Sequence, residues 1–121
     1  MSDNQDSKPL TAYKVLTAEQ MATLERDGSF AGAPVDVADG YIHLSTADQL
    51  AETIDRHFAG QNDLHIVAVD LAAHGDKVRW EPSRGGQLFP HLYAPMLLET
   101  AIAYSPLARH DDGSIRLPIA G

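Results

Sequence analysis

The run Leu64-His65-Ile66-Val67-Ala68-Val69-Asp70-Leu71 constrains this chain more than any other stretch. It is rich in β-branched residues and nearly free of charge, and Gly60 and the His74-Gly75-Asp76 turn fence it to strand length, so it reads as a central strand. The rest of the fold must be arranged around it. Ala12-Tyr13-Lys14-Val15-Leu16 alternates and reads as a first strand. Thr17 with Gln20 three residues on has the capping-box spacing, and Met21, Leu24 and the Gly28 stop define a short helix. Ser29 to Gly40 reads as a loop, and Tyr41-Ile42-His43-Leu44 as a strand ending at Ser45-Thr46. Thr46 then caps a second helix from Ala47 to about Ala59, in which Leu50, Ile54 and Phe58 recur at helical spacing.

Beyond the central run, Val78-Arg79-Trp80-Glu81 reads as a short strand. Pro82 to Pro90, with Gly85-Gly86 inside it, reads as a long irregular loop. Met96 to Tyr104 reads as a strand, joined through the Asp112-Gly113 turn to a last one at Ser114-Ile115-Arg116-Leu117. Strands with two helices early in the chain do not alternate as a doubly wound sheet does, so the expected class is α+β with a mixed, largely antiparallel sheet. Residues 1–10 read as a polar, loosely packed tail and 11–121 as one domain, since 121 residues suffice for a single core.

Composition and motif content disfavour several function classes. The formal net charge is −8, and the nine Lys and Arg are scattered, which argues against nucleic-acid or anionic-membrane partners. There is no cysteine, so disulfides, thiolate metal sites and cysteine nucleophiles drop out. The histidines and carboxylates show no metal-ligand spacing such as HExxH, and no GxGxxG or P-loop pattern is present. The N-terminus lacks a signal-peptide pattern and no apolar run reaches membrane-spanning length, so a cytoplasmic protein with a small-molecule ligand is expected. Lys77, Arg79 and Arg84 lie close enough in sequence to form a pocket for a small anion. No pattern sets the oligomeric state.

The polar residues with chemical potential gather in two places. Period two puts Tyr41, His43 and Ser45 on one face of their strand, a set able to stack, to bond a ribose or to move a proton near neutral pH; a solvent-facing strand side, or a core histidine bonded to backbone, is the commoner meaning of that spacing. Arg79 and Glu81 share a face opposite Trp80, either as a cross-strand ion pair or as a carboxylate that orients a base. In Phe89-Pro90-His91-Leu92-Tyr93-Ala94-Pro95 the prolines stiffen the backbone around an imidazole and a phenol, which suits a pocket or a packed corner.

The segments Asp39-Gly40-Tyr41-Ile42-His43-Leu44-Ser45-Thr46, Arg79-Trp80-Glu81 and Phe89-Pro90-His91-Leu92-Tyr93, in this order, resemble the bacterial domain-of-unknown-function family 952, from about Ala12 to Pro118. The resemblance implies an ADP-ribosyltransferase-like fold, a split sheet whose cleft binds NAD or ADP-ribose, with His43 and Ser45 similar to the ribose-contacting pair of such transferases. The expected site has His43, Glu81 and His91 as catalytic groups and Tyr41, Ser45, Thr46, Arg79, Arg84 and Tyr93 as ligand contacts. The implied activity is glycosyl transfer on NAD, ADP-ribose or another nucleotide-like molecule; the alternative is a non-catalytic module that holds a metabolite or a peptide in the same cleft.

Overall fold

The computed structural model describes residues 8–118; residues 1–7 of the expected tail, and residues 119–121, lie outside it. The elements in chain order are β1 (Thr11–Thr17), α1 (Ala18–Asp27), β2 (Ser29–Phe30), α2 (Pro34–Asp39), β3 (Ile42–His43), α3 (Ala47–His57), β4 (Leu64–Asp70), β5 (Val78–Pro82), β6 (Leu88–Leu92), β7 (Met96–Leu97) and β8 (Ala101–Pro106). Short 3₁₀ turns at Leu71–Lys77, Arg84–Gly86 and Leu98–Thr100 join the later strands. All strand pairings are antiparallel, so the fold is α+β as expected.

Two three-stranded sheets carry the architecture, ordered β1-β4-β8 and β3-β6-β5, with β2 and β7 forming a small separate pair. The apolar run becomes β4 at the centre of the first sheet. One face of β1 and β4 buries Ala12, Leu16, Val67 and Val69 in a core with Met21, Leu24, Ile42, Leu44 and Leu92. The other buries Val15, Leu64 and Ile66 under Leu50 and Ile54 of α3. A strand apolar on both sides has no other stable position.

Among the described residues a single β-bridge couples the two three-stranded sheets. Tyr13 and Ser45 exchange both backbone hydrogen bonds, at 2.7 and 2.9 Å, and elsewhere β1 and β3 diverge. That divergence opens a cleft between the sheets.

The helices follow their caps. The Thr17 hydroxyl accepts from the Gln20 amide while the Gln20 side chain accepts from the Thr17 N–H, and Gly28 ends α1 in the left-handed region at φ 74°. The Gln49 side chain accepts from the Thr46 N–H at the start of α3.

Four expectations need correction. Ser29 to Gly40 is not a featureless loop but holds β2 and α2. Pro34 stands at the first helical position, where its missing N–H costs nothing, and Gly40 at φ 91° ends the helix. Pro82 to Pro90 is a hairpin: Pro82 ends edge strand β5, and Pro90 sits inside β6, where its carbonyl accepts from the Leu44 N–H. Met96 to Tyr104 breaks into β7, a 3₁₀ turn and β8. The last expected strand reduces to one bridge, Ile115 to Arg109.

Candidate functional site

Antiparallel register aligns the two polar segments. His43 pairs with His91 between β3 and β6, and His91 with Arg79 between β6 and β5. Directly paired residues project to the same side of a sheet, so Tyr41, His43 and Ser45 share one face with Phe89, His91 and Tyr93 and with Arg79 and Glu81. Ile42, Leu92 and Val78 turn the other way, into the core. The two distant stretches therefore meet: the His43 and His91 rings are 5.5 Å apart, and Tyr41 lies over His91 with ring centres at 4.1 Å.

Each imidazole is held by carboxylates, but differently. His91 is buried, and its Nδ1 is 2.7 Å from Glu81 Oε1, which also accepts from the Tyr93 hydroxyl at 2.7 Å. These hydrogen bonds, from His91 first and then Tyr93, hold the Glu81 carboxyl below its ordinary range, so it is ionised near neutral pH and acts only as an acceptor. The same contact raises the Tyr93 phenol, which stays protonated. Nδ1 of His91 must then donate, and in the neutral form of the ring Nε2, buried and without a protein partner, carries the free lone pair. A carboxylate that fixes an imidazole tautomer and leaves the far nitrogen open is the arrangement used by general bases.

His43 has no free nitrogen. Its Nδ1 is 2.6 Å from Asp36 Oδ1 and its Nε2 2.9 Å from Asp39 Oδ2. Behind it, buried Asp36 also takes Lys14 at 2.9 Å and the backbone N–H groups of Ala33 and His43 at 2.8 and 3.1 Å. Lys14 donates onward to the His43 carbonyl at 3.0 Å. Burial pushes the Asp36 carboxyl up, but the hydrogen bond from His43 and the charge and hydrogen bond of Lys14 outweigh it and hold it at about 2. Burial pulls the Lys14 ammonium down, opposed by Asp36.

The hydroxyls have assigned directions as well. Thr53 donates to the Gln49 carbonyl at 3.0 Å, so its oxygen can only accept from Ser45 at 2.9 Å and from Arg84 Nη2 at 3.3 Å. Ser45 has thereby spent its proton on Thr53 and, buried in the cleft wall, is left as an acceptor.

The cleft between the sheets encloses about 600 Å³, and its walls include Tyr13, Ser45, Arg84, Phe89 and the two histidines 43 and 91. Of the expected site residues, His43, Ser45, Arg84 and His91 thus line one cavity. Tyr41, Arg79, Glu81 and Tyr93 form a cluster at the Nδ1 edge of His91, with Arg79 lying 5.1 Å over the Tyr93 ring. Thr46 serves as the α3 cap. Of Lys77, Arg79 and Arg84, Arg84 lines the cleft 4.9 Å over Phe89, while Arg79 is over Tyr93 and Lys77 is exposed.

Sequence reasoning missed Asp36, the residue on which both His43 and Lys14 depend. The signal was present in Pro34-Val35-Asp36, a helix start with Pro at its first position and an acidic residue in the first turn. Among the described residues no group of three His, Asp or Glu is placed to hold a metal, and no helix is long and apolar enough to cross a membrane.

Two antiparallel sheets joined at one bridge, with a histidine-lined cleft at the junction, define the class: a small α+β domain built around a polar pocket. The chain belongs to the family described as "protein of unknown function (DUF952)", whose model matches residues 15–104. It is similar to the X-ray structure of protein CC0527 from Caulobacter crescentus, at 39% identity and TM-score 0.80, over 88% of this chain and 94% of that one. The solution NMR structure of CC0527 matches at 38% identity and TM-score 0.75, over 88% of this chain and 91% of that one. No curated protein matches.

Proposed function

We propose that the cleft binds a ribose-containing nucleotide such as NAD or ADP-ribose, in the manner of an ADP-ribosyltransferase-like split sheet, and that His91 serves there as a proton acceptor. The observation that carries the reading is the unpartnered Nε2 of His91, a buried atom of a residue in the cavity wall. Ser45, an acceptor through its bond to Thr53, complements it. Two acceptors in one wall suit a ligand that offers hydroxyl donors, as the ribose diol does, and a buried acceptor left unpaired costs about 1–3 kcal/mol that such a ligand would recover. His43, engaged at both nitrogens, presents only its ring and acts by shaping the wall. Glu81 acts through His91 as a positioning residue, and Tyr93 through Glu81.

Isothermal titration with NAD and ADP-ribose, on the native chain and on His91→Ala, tests this. Saturable binding, weakened at least about tenfold in the variant, is the expected result. No heat at millimolar ligand would sink the nucleotide reading.

One observation favours binding without turnover. Among the described residues the one acidic residue of the cavity wall is Asp39, and it is taken by His43 Nε2, which leaves no free carboxylate among them to stabilise a developing oxocarbenium ion. A module of this kind would be stabilised against heat by a metabolite, or a peptide, that it does not consume. Release of nicotinamide from NAD by the purified protein would reject the non-catalytic reading.

A further inference from the structure

Arg84 is the least satisfied cation in the cleft. Its side chain is 18% exposed, so most of its water is gone, yet its five N–H donors meet few acceptors. Nη2 donates to Thr53 Oγ1 at 3.3 Å, and Nε stands 3.6 Å from Glu52 Oε1, too long for a good hydrogen bond. Glu52 is half exposed and is shared with Arg56, which holds its other oxygen at the shorter distance of 3.1 Å. The ring of Phe89 fixes the guanidinium from one face, 4.9 Å from its centroid. By contrast Lys14, the other cation of the cavity wall, is fully engaged by Asp36 and the His43 carbonyl.

A guanidinium held rigid, partly desolvated and paired to one loose, distractible carboxylate is poised for a stronger acceptor. A phosphoryl group offers paired oxygens that match the guanidinium fork, and it outcompetes a single carboxylate oxygen at 3.6 Å. We propose that Arg84 is the phosphate-docking point of the cleft, with Glu52 as the group displaced, so that the site selects phosphorylated nucleosides over free ones. The inference rests on the reading of the cleft as a ligand site.

Glu52 makes the proposal falsifiable in a direction that loss of folding cannot imitate. Arg84→Gln removes the docking charge, whereas Glu52→Gln removes the competitor and frees the guanidinium, so the two variants move phosphate affinity in opposite directions. Inorganic phosphate and ribose 5-phosphate, with ribose as the uncharged control, are titrated at constant ionic strength while the Arg84 Nε–H resonance is followed by NMR. The expected result is a saturable shift with both phosphates and none with ribose. Affinity should fall about tenfold or more in Arg84→Gln and rise about two- to threefold in Glu52→Gln.

An Arg84 resonance that does not saturate with either phosphate, or a Glu52→Gln variant that binds phosphate no better than the native chain, overturns the proposal. Titration of ADP-ribose against adenosine separates it from the parent reading. If both bind equally, the cleft is a nucleoside site and Arg84 is not its phosphate dock. If phosphate saturates Arg84 while no nucleotide binds, the dock stands and the nucleotide reading falls.

Discussion

The two sheets solve the same geometric problem with opposite chemistry. In β1-β4-β8 both faces of the central strand are closed by aliphatic side chains, Val67 and Val69 on one side and Ile66 on the other. In β3-β6-β5 one face joins that core, while the other carries Tyr41, His43, His91, Tyr93 and Glu81 in a connected set of stacked rings and hydrogen bonds. The first sheet is held by burial, which is non-directional and tolerant. The second is held by directed contacts, each of which leaves a partner stranded when broken.

The sharpest break of this comparison falls where the two chemistries touch. Lys14 lies on β1 directly opposite Val67 of β4, yet its ammonium reaches Asp36 and the polar sheet. Asp36→Ala leaves Lys14 buried without a counter-charge and should cost about 3–5 kcal/mol, whereas Val67→Ala, a lost aliphatic contact, should cost about 2 kcal/mol. Urea denaturation measures both. The double variant Lys14→Met with Asp36→Leu should recover only the share of the loss due to the stranded ammonium, because the Ala33 and His43 N–H groups that Asp36 accepts from stay unpaired. Equal costs for the two single variants would mean that the pair is no more than ordinary packing.

Next in size is Gly32, which precedes α2 at φ 129°. A Cβ there would stand 2.9 Å from the Asp36 Cβ, against backbone-anchored structure that cannot swing aside. Gly32→Ala is expected to cost about 2–3 kcal/mol, by strain in the left-handed region and by pushing Asp36 off its partners. Gly28→Ala sits at φ 74° in the αL region, which L-residues can enter, with open space around it, so it should cost about 1 kcal/mol. The difference between the two, read by denaturation, combines the harsher φ of Gly32 with its contact with Asp36. Its absence would show that α2 can shift without disturbing the site.

Acid provides a third comparison. The Asp36 carboxyl is held at about 2, below its ordinary 3.8, so over that interval the folded protein binds fewer protons than the unfolded chain. Its contribution to stability, about 2 kcal/mol, is fully present above the ordinary value and is lost as pH falls through about 2. Urea midpoints measured from pH 5 down to pH 2 should fall more steeply for the native chain than for Asp36→Asn. Parallel slopes would remove Asp36 as the acid-sensitive group.

The same contrast explains what could be read from the sequence. The aliphatic sheet was legible because burial writes itself as periodicity: Leu64 to Asp70 is β4 almost to the residue, and Leu50 with Ile54 marks the face of α3 that covers it. The capping pair Thr17 and Gln20 was legible for a similar reason, since its chemistry is local. On the polar sheet, period two correctly put Tyr41, His43 and Ser45 together, and Arg79 with Glu81. What no local pattern encodes is register, and register decides that His43 meets His91. Pro90 concealed β6, because proline normally marks the absence of a central strand; here β3 needs only its carbonyl. Asp36 was hidden by distance, 22 residues from Lys14, in a helix of six residues too short to show periodicity.

The smallest expected effect on stability carries the most about chemistry. Glu81 is partly exposed, and the hydrogen bonds it accepts from His91 and Tyr93 form at the rim of the sheet, so Glu81→Ala should change stability less than any of the variants above. Its consequence for His91 is qualitative. With Glu81 present, Nδ1 must donate and the buried Nε2 is bare; with the carboxylate gone, nothing binds the proton to Nδ1, and the ring is free to carry it on Nε2 instead. Nitrogen-15 NMR of the imidazoles separates these states directly. The native chain should show His91 as the Nδ1–H tautomer, and the variant a mixture or the reverse, with the aliphatic sheet's resonances unmoved. A native ring already protonated at Nε2 would deprive the cleft of its acceptor, because the orientation imposed by Glu81 is what turns a packed histidine into a group that can take a proton from a ligand.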